Sequence, residues 1–385
     1  MTTFIWLFLA NFLVIASLNS LSLLAPFLDK LGASQIFLGV FANLPSLVLV
    51  LALSFCSRTI TRLHRVRTLR WSFFALLASF PVMLIFSHNL AVLTLCRLLG
   101  SGAYVFSSSF LMAMVYDQTP QIRRASTMAL FGTGGLLTNP VVSLLGEWTV
   151  KNFGGPGLFA VGFGFAFLAL LTLAFLHETP ADRPAQAPHF WDTARFAPFR
   201  TLEILAFLFG GAYTVYMTYT PIFTLEKLGL ANLSVFTIPF AAVSIVLRFV
   251  FSRDLDRRSS QKLTLAAFGG MGFSFLITIL SGALSWSSWG FSLLPWFLLG
   301  TAGALYGGAH SLLYPILSSQ FVHRGGARDS ASSNNVFLVF STLGAGILAP
   351  LCGALGDLGG FSALFGTMLV VSVTAIFVTR RAWGA

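Results

Sequence analysis

The chain has 385 residues, of which 56% are hydrophobic and only 9% charged, against roughly 25% charged in an ordinary soluble domain. Too few polar residues remain to clothe a water-facing surface, which excludes a soluble enzyme or soluble binding module. The net charge of +11 fits nucleic acid, an anionic membrane surface or membrane topology, and the positions of the basic residues decide among these.

A helix needs about 20 mostly apolar residues to cross a bilayer. Apolar runs fall near residues 4–27, 35–57, 71–87, 90–115, 126–148 and 157–176, then near 201–224, 231–252, 263–284, 291–317, 333–356 and 361–379. They are continuously apolar, whereas barrel strands would alternate over about ten residues. The first run has no basic segment ahead of it and outlasts the apolar core of a cleavable signal, so it is expected to be retained.

Lys and Arg gather on alternate connections. One side carries Arg58, Arg62, Arg65, Arg67 and Arg70; Arg123 and Arg124; Arg183, Arg195 and Arg200; Arg253, Arg257, Arg258 and Lys262; Arg324 and Arg328; Arg380 and Arg381. The other side carries Lys30, Lys151 and Lys227. Basic residues concentrate in cytoplasmic loops, so both termini are expected in the cytoplasm, with the chain in the cytoplasmic (inner) membrane. A basic excess spread over short flanking segments does not form a nucleic-acid patch.

The polar stretch HETPADRPAQAPHFWDTARFAPFR, residues 177–200, reads as a cytoplasmic linker between bundles at 1–176 and 201–385. The halves resemble each other. PFLDKLG from Pro26 matches PIFTLEKLG from Pro221, and Arg62 and Arg257 each lie 36 residues beyond those prolines. PVVSLLGE from Pro140 parallels PLCGALGD from Pro350. The expected fold is therefore an all-α polytopic membrane protein, twelve transmembrane helices in two pseudo-symmetric six-helix halves, a duplication common in secondary transporters.

The loop after the second run and its copy after the eighth are similar to the signature G-x-x-x-D-R-x-G-R-R of the major facilitator superfamily. Ser57, Thr61, Arg62, His64 and Arg65 occupy the first copy, while the second keeps Asp256 and Arg257 between Ser252 and Ser259. GTAGALYGGAHSLLYPILSSQ from Gly300, RGGARDSA from Arg324 and LGAGILAPLCGALGDLGGFSALF from Leu343 look like segments of its bacterial drug and metabolite exporters. So does the fifth run, with Gly132, Gly135 and Pro140 but Asn139 in place of a glycine. The resemblance implies gating roles for Arg62, Arg65, Asp256 and Arg257, with Asp117 as an acidic partner for Arg62. Gly132, Gly135, Pro140 and Pro350 would serve as hinge and packing positions. Arg248 lies inside an apolar run but four residues before Ser252, near enough to the span end to snorkel, and is grouped with the gating residues.

In this superfamily spans 1, 4, 7 and 10 line a central cavity. On span 4, Arg97, Ser101, Tyr104 and Ser108 recur at i, i+4, i+7 and i+11, one helical face. Arg97 lies about 10 Å inside its run and should face protein or water. Span 7 offers Tyr213, Tyr216 and Thr220, and span 10 offers Tyr306, His310 and Tyr314 at four-residue intervals. Span 1 contributes Asn11 and Asn19, about 80° apart at 100° per residue and so not bound to share one site.

Every Asp and Glu falls in a loop or near a span end. Cationic-drug exporters commonly rely on a membrane carboxylate, so Arg97 without one favours an anionic, zwitterionic or neutral small-molecule substrate. His310 is the mid-span candidate for coupling to H+. Cys56, Cys96 and Cys352 show no metal spacing, and no HExxH, GxSxG or nucleotide-binding motif occurs. No enzymatic activity, metal or cofactor is expected. The expected function is secondary active transport by alternating access, as a monomer in the lipid bilayer and in the export direction. An uptake symporter, or a transporter-like sensor or assembly protein without turnover, is the alternative.

Overall fold

A backbone inside hydrocarbon must satisfy its own hydrogen-bonding groups, and continuous apolar runs can do so only as helices. The computed structural model describes residues 2–55, 63–118, 124–176, 190–228, 233–251, 260–283, 294–325 and 330–384, and they are overwhelmingly helical. The long helices are α1 (Thr2–Ser20), α2 (Gln35–Phe55), α3 (Arg65–Ile85), α4 (Leu90–Phe106), α5 (Arg124–Phe153) and α6 (Gly157–Thr172). They continue with α7 (Arg200–Glu226), α8 (Ser234–Phe251), α9 (Ser260–Ala283) and α10 (Leu294–Gly325). Ser330–Gly384 is broken at Gly360, giving α11 before the break and α12 after it.

Among the described residues, eight helices are long and apolar enough to cross a membrane, the Ser330–Gly384 pair being counted as one. Every apolar run read from the sequence carries a helix. Large apolar side chains such as Phe55, Ile85, Leu99 and Phe297 point outward, as a hydrocarbon solvent permits.

Helix ends have local causes. Asn89 caps α4, its Oδ1 accepting from the Ala91 and Val92 amides at 3.1 and 3.2 Å. The break at Gly360 needs a φ of 69°, a left-handed conformation that costs a side-chain-bearing residue and costs glycine nothing. α4 does not end at Phe106 but widens into a π-helical turn, Ser107–Leu111, before Met112–Gln118. Pro140 and Pro350 lie inside α5 and α11.

The chain forms two compact units, Met1–Leu31 with Leu44–His189, and Gly32–Asn43 with Phe190–Ala385. The longer segment of the second starts at Phe190 and includes the short helix Phe190–Ala194, within the expected linker. Residues 177–189 lie outside the described residues.

Within the first unit α1 packs on α5 and α6, and α3 packs on α4 and α6. Within the second, α7 packs on the Ser330–Gly384 pair, α8 on α10, and α9 on both α10 and that pair. The shared pattern, first helix on the fifth and sixth, third on the fourth and sixth, is what a duplicated sequence should build.

Small residues set the closest approaches. Gly303 and Gly307, one turn apart on α10, face the Phe236 and Phe240 carbonyls of α8, and a Cβ at either would overlap the carbonyl oxygen. Gly210 and Gly344 bring α7 and α11 together in the same way, against the Ser341 and Phe207 carbonyls. Without a hydrophobic force between helices in lipid, such backbone contact is a main source of association.

Candidate functional site

In the first unit the polar face of α4 is turned inward. Arg97 is 5% exposed, and its Nη1 donates to the Leu18 carbonyl at 2.9 Å. That carbonyl sits in the last turn of α1, just before the chain tightens into the 3-10 turn Leu21–Leu24, where carbonyls are not all taken by the helical ladder. The Arg therefore faces protein, as its depth in the sequence required.

Ser101 is fully buried and its hydroxyl donates back to the Arg97 carbonyl at 2.8 Å. Tyr104 is half-buried on the same helix. Ser108 falls in the π turn and donates to the Val105 carbonyl at 3.1 Å. The regular i+11 spacing that placed it below Tyr104 assumes an unbroken α-helix, and the wider turn shifts its phase.

Asn11 and Asn19 are handled separately. Asn11 is buried in α1, while Asn19 Nδ2 donates to Thr138 Oγ1 at 2.8 Å and to Asn139 Oδ1 at 3.2 Å on α5. Asn139, which stands where a glycine was expected, thus joins a polar cross-link between α1 and α5. Of the predicted packing glycines, Gly135 is in ordinary contact range of Ile15 whereas Gly132 is exposed. Gly134, not singled out from the sequence, faces the Phe8 ring instead.

The second unit holds an aromatic cluster on α7, α8 and α10. His310 is 7% exposed, and its ring lies 4.7 Å from Tyr213, 5.2 Å from Phe209, 5.7 Å from Phe240 and 6.4 Å from Tyr314, centroid to centroid. Arg248 reaches this cluster from α8. Its Cζ stands 5.8 Å from the Tyr314 ring centroid, within cation–π range. The Arg248 Nε is buried without a hydrogen-bond partner, so the side chain turns inward where the sequence reading had it snorkel.

Tyr216 and Tyr306 belong to the layer beneath. Both are fully buried and meet edge to face at 4.7 Å. The Tyr216 hydroxyl bonds Ser274 Oγ at 2.9 Å and also Thr278 Oγ1, on α9. Thr220 donates to the Tyr216 carbonyl at 2.5 Å. Tyr216 thus ties α7 to α9, whereas Tyr213 and Tyr314 are half-buried and His310 is buried between them.

Phe209, Phe240 and the Gly303–Gly307 pair escaped the sequence reading. Phe rings carry no polar signal among 41 phenylalanines, although the four-residue glycine spacing was visible. A cleft of about 310 Å³ at the start of α7, lined by Trp191, Arg195, Arg200, Glu203 and Phe340, lies outside the predicted site.

Of the gating residues, Arg65 begins α3 and Asp117 lies in Met112–Gln118. Arg62, Asp256, Arg257 and the side chain of Asp117 lie outside the described residues. No group of three or more His, Cys, Asp or Glu able to hold a metal occurs among the described residues.

A profile described as Major Facilitator Superfamily matches residues 7–333. The fold is similar to that of a point mutant of the nucleoside transporter NupG, with TM-score 0.79, 13% identity, and 99% of this chain and 100% of that one covered. It is also similar to the human organic anion transporter MFSD10 (TETRAN), with TM-score 0.70, 18% identity and 98% of both chains covered. A bacterial homolog of the human lysosomal transporter Spinster gives TM-score 0.68 and 14% identity over 100% of this chain and 95% of that one. At these identities the likeness is one of fold, and with the profile matched over most of its length this chain is a member of the major facilitator superfamily.

Proposed function

We propose that the protein is a secondary active transporter that exports a small organic solute, anionic, zwitterionic or neutral, across the cytoplasmic membrane by alternating access coupled to protons. The observation that carries this is the charge pattern of the buried faces. Arg97 is buried on α4 and Arg248 reaches the aromatic cluster, while each Asp and Glu among the described residues lies in a loop or near a helix end. A cationic solute would meet basic groups with no carboxylate to balance it. The similarity to a protein named as an organic anion transporter supports the same side of the charge question.

The basic loops support cytoplasmic termini, and His310 is the group we assign to proton coupling. We propose that it acts as a monomer in the lipid bilayer.

Accumulation of naphthalene-2-sulfonate, a membrane-impermeant organic anion, can be followed in inside-out and right-side-out vesicles under an imposed pH gradient. Gradient-driven accumulation in inside-out vesicles is expected. Accumulation only in right-side-out vesicles would favour uptake by symport, and binding without flux in either orientation would favour a sensor.

A further inference from the structure

Three polar groups in the second unit are buried without a hydrogen-bond partner within one stretch of packed helices: Arg248 Nε on α8, and His310 Nδ1 and the Tyr306 hydroxyl on α10. Native proteins leave few such groups, and each calls for an explanation. Arg248 and His310 also share neighbours, since Tyr314 lies under the guanidinium at 5.8 Å and 6.4 Å from the imidazole.

The cost of placing them there is real. A guanidinium in an apolar run costs at least about 2.5 kcal/mol on insertion scales, and a cation–π contact offsets only part of that. Packing explains the rings around His310 but not the unused donors. The close contact of Gly303 and Gly307 with the α8 backbone holds the two helices, and hence Arg248 and His310, in one fixed arrangement. No Asp or Glu belongs to the described cluster.

Resting on the transport reading above, we propose that Arg248 and His310 form the anion-recognition part of the substrate site, taking the carboxylate or sulfonate of a planar organic anion whose apolar body lies against Tyr213, Phe209 and Tyr314. The guanidinium fork matches two oxygens of one anionic group. The His310 N–H adds a third donor, and the aromatic rings favour a flat partner. A cation is repelled, and a neutral solute fits the rings but leaves the guanidinium unanswered.

Binding to the purified full-length protein in nanodiscs, by calorimetry, tests this with naphthalene-2-sulfonate, its neutral isostere naphthalene-2-sulfonamide and the cationic 2-naphthylmethylamine. The expected result is about tenfold or greater preference for the sulfonate over the sulfonamide, a single charge-assisted contact's worth, and weaker binding of the amine than of either. Arg248→Gln should erase the preference while leaving sulfonamide binding within about twofold. Arg248→Lys, which keeps the charge, should retain part of it and so separates loss of recognition from loss of fold. His310→Leu, which removes the donor, should weaken the sulfonate alone, whereas His310→Gln, which keeps an N–H, should change it little. Equal binding of sulfonate and sulfonamide by the native protein, or a full preference surviving in Arg248→Gln, would overturn the site. Preference without flux of the sulfonate in vesicles would sustain the site and count against turnover. Flux of solutes with no charge preference would do the reverse.

Discussion

The Arg97 guanidinium donates to the Leu18 carbonyl across 2.9 Å, tying the middle of α4 to the last turn of α1. A buried bond from a charged donor is worth about 1.5–3 kcal/mol, and Arg97→Met removes it with most of the side-chain volume kept. We expect a lower melting temperature for the purified variant and at least tenfold slower flux. A variant with native stability and native flux would show that Arg97 neither holds the two helices nor touches the solute path.

Gly307 faces the Phe240 carbonyl, where a methyl group has no room, whereas the Cβ of a residue at Gly269 would meet nothing within 4 Å. Gly307→Ala should therefore destabilise the second unit by about 1–3 kcal/mol through forced separation of α8 and α10. Gly269→Ala should be neutral or slightly stabilising, because glycine is the poorer helix former. Thermal unfolding of the pair in one detergent checks the opposite signs.

Tyr216 is fully buried beside the His310 cluster, its hydroxyl bonded to Ser274 and Thr278. Those two hydroxyls have other acceptors, the Ala302 carbonyl at 2.7 Å and the Ser274 carbonyl at 3.0 Å. Tyr216→Phe should cost only about 1 kcal/mol and leave the preference among sulfonate, sulfonamide and amine unchanged. Tyr213→Ala, by contrast, should weaken binding of all three aromatic probes with little change in their order.

His310→Gln keeps hydrogen-bonding capacity but cannot carry a proton at physiological pH. If His310 couples transport to protons, this variant should retain solute exchange at zero gradient and lose acceleration by an imposed pH gradient. Unchanged gradient dependence in flux measurements at several gradients would remove His310 from the coupling mechanism.

The helices and the duplication were legible because hydrocarbon leaves few options: a continuous apolar run becomes a helix, and paired landmarks such as Pro26 and Pro221 announce repeated units. The burial of Arg97 was legible for the same reason, since its depth forbade lipid. Three features were not. The π turn at Ser107–Leu111 is a backbone choice that no residue type announces, and it put Ser108 out of the expected register. Tyr216 and Tyr213 share one face of α7 in any helical projection, yet only the packing of α9 separates a structural tyrosine from an accessible one. Arg248, near enough to its helix end to snorkel, instead has its guanidinium over the Tyr314 ring of α10, and such a tertiary partner cannot be read from one strand of sequence.

Counterflow in proteoliposomes, with no ion gradient and a panel of labelled organic solutes matched in size but differing in charge, tests the central claim most directly. The account predicts protein-dependent overshoot for anionic, zwitterionic or neutral solutes, with none for cations. Exchange confined to cations, or no protein-dependent exchange for any solute, would contradict it.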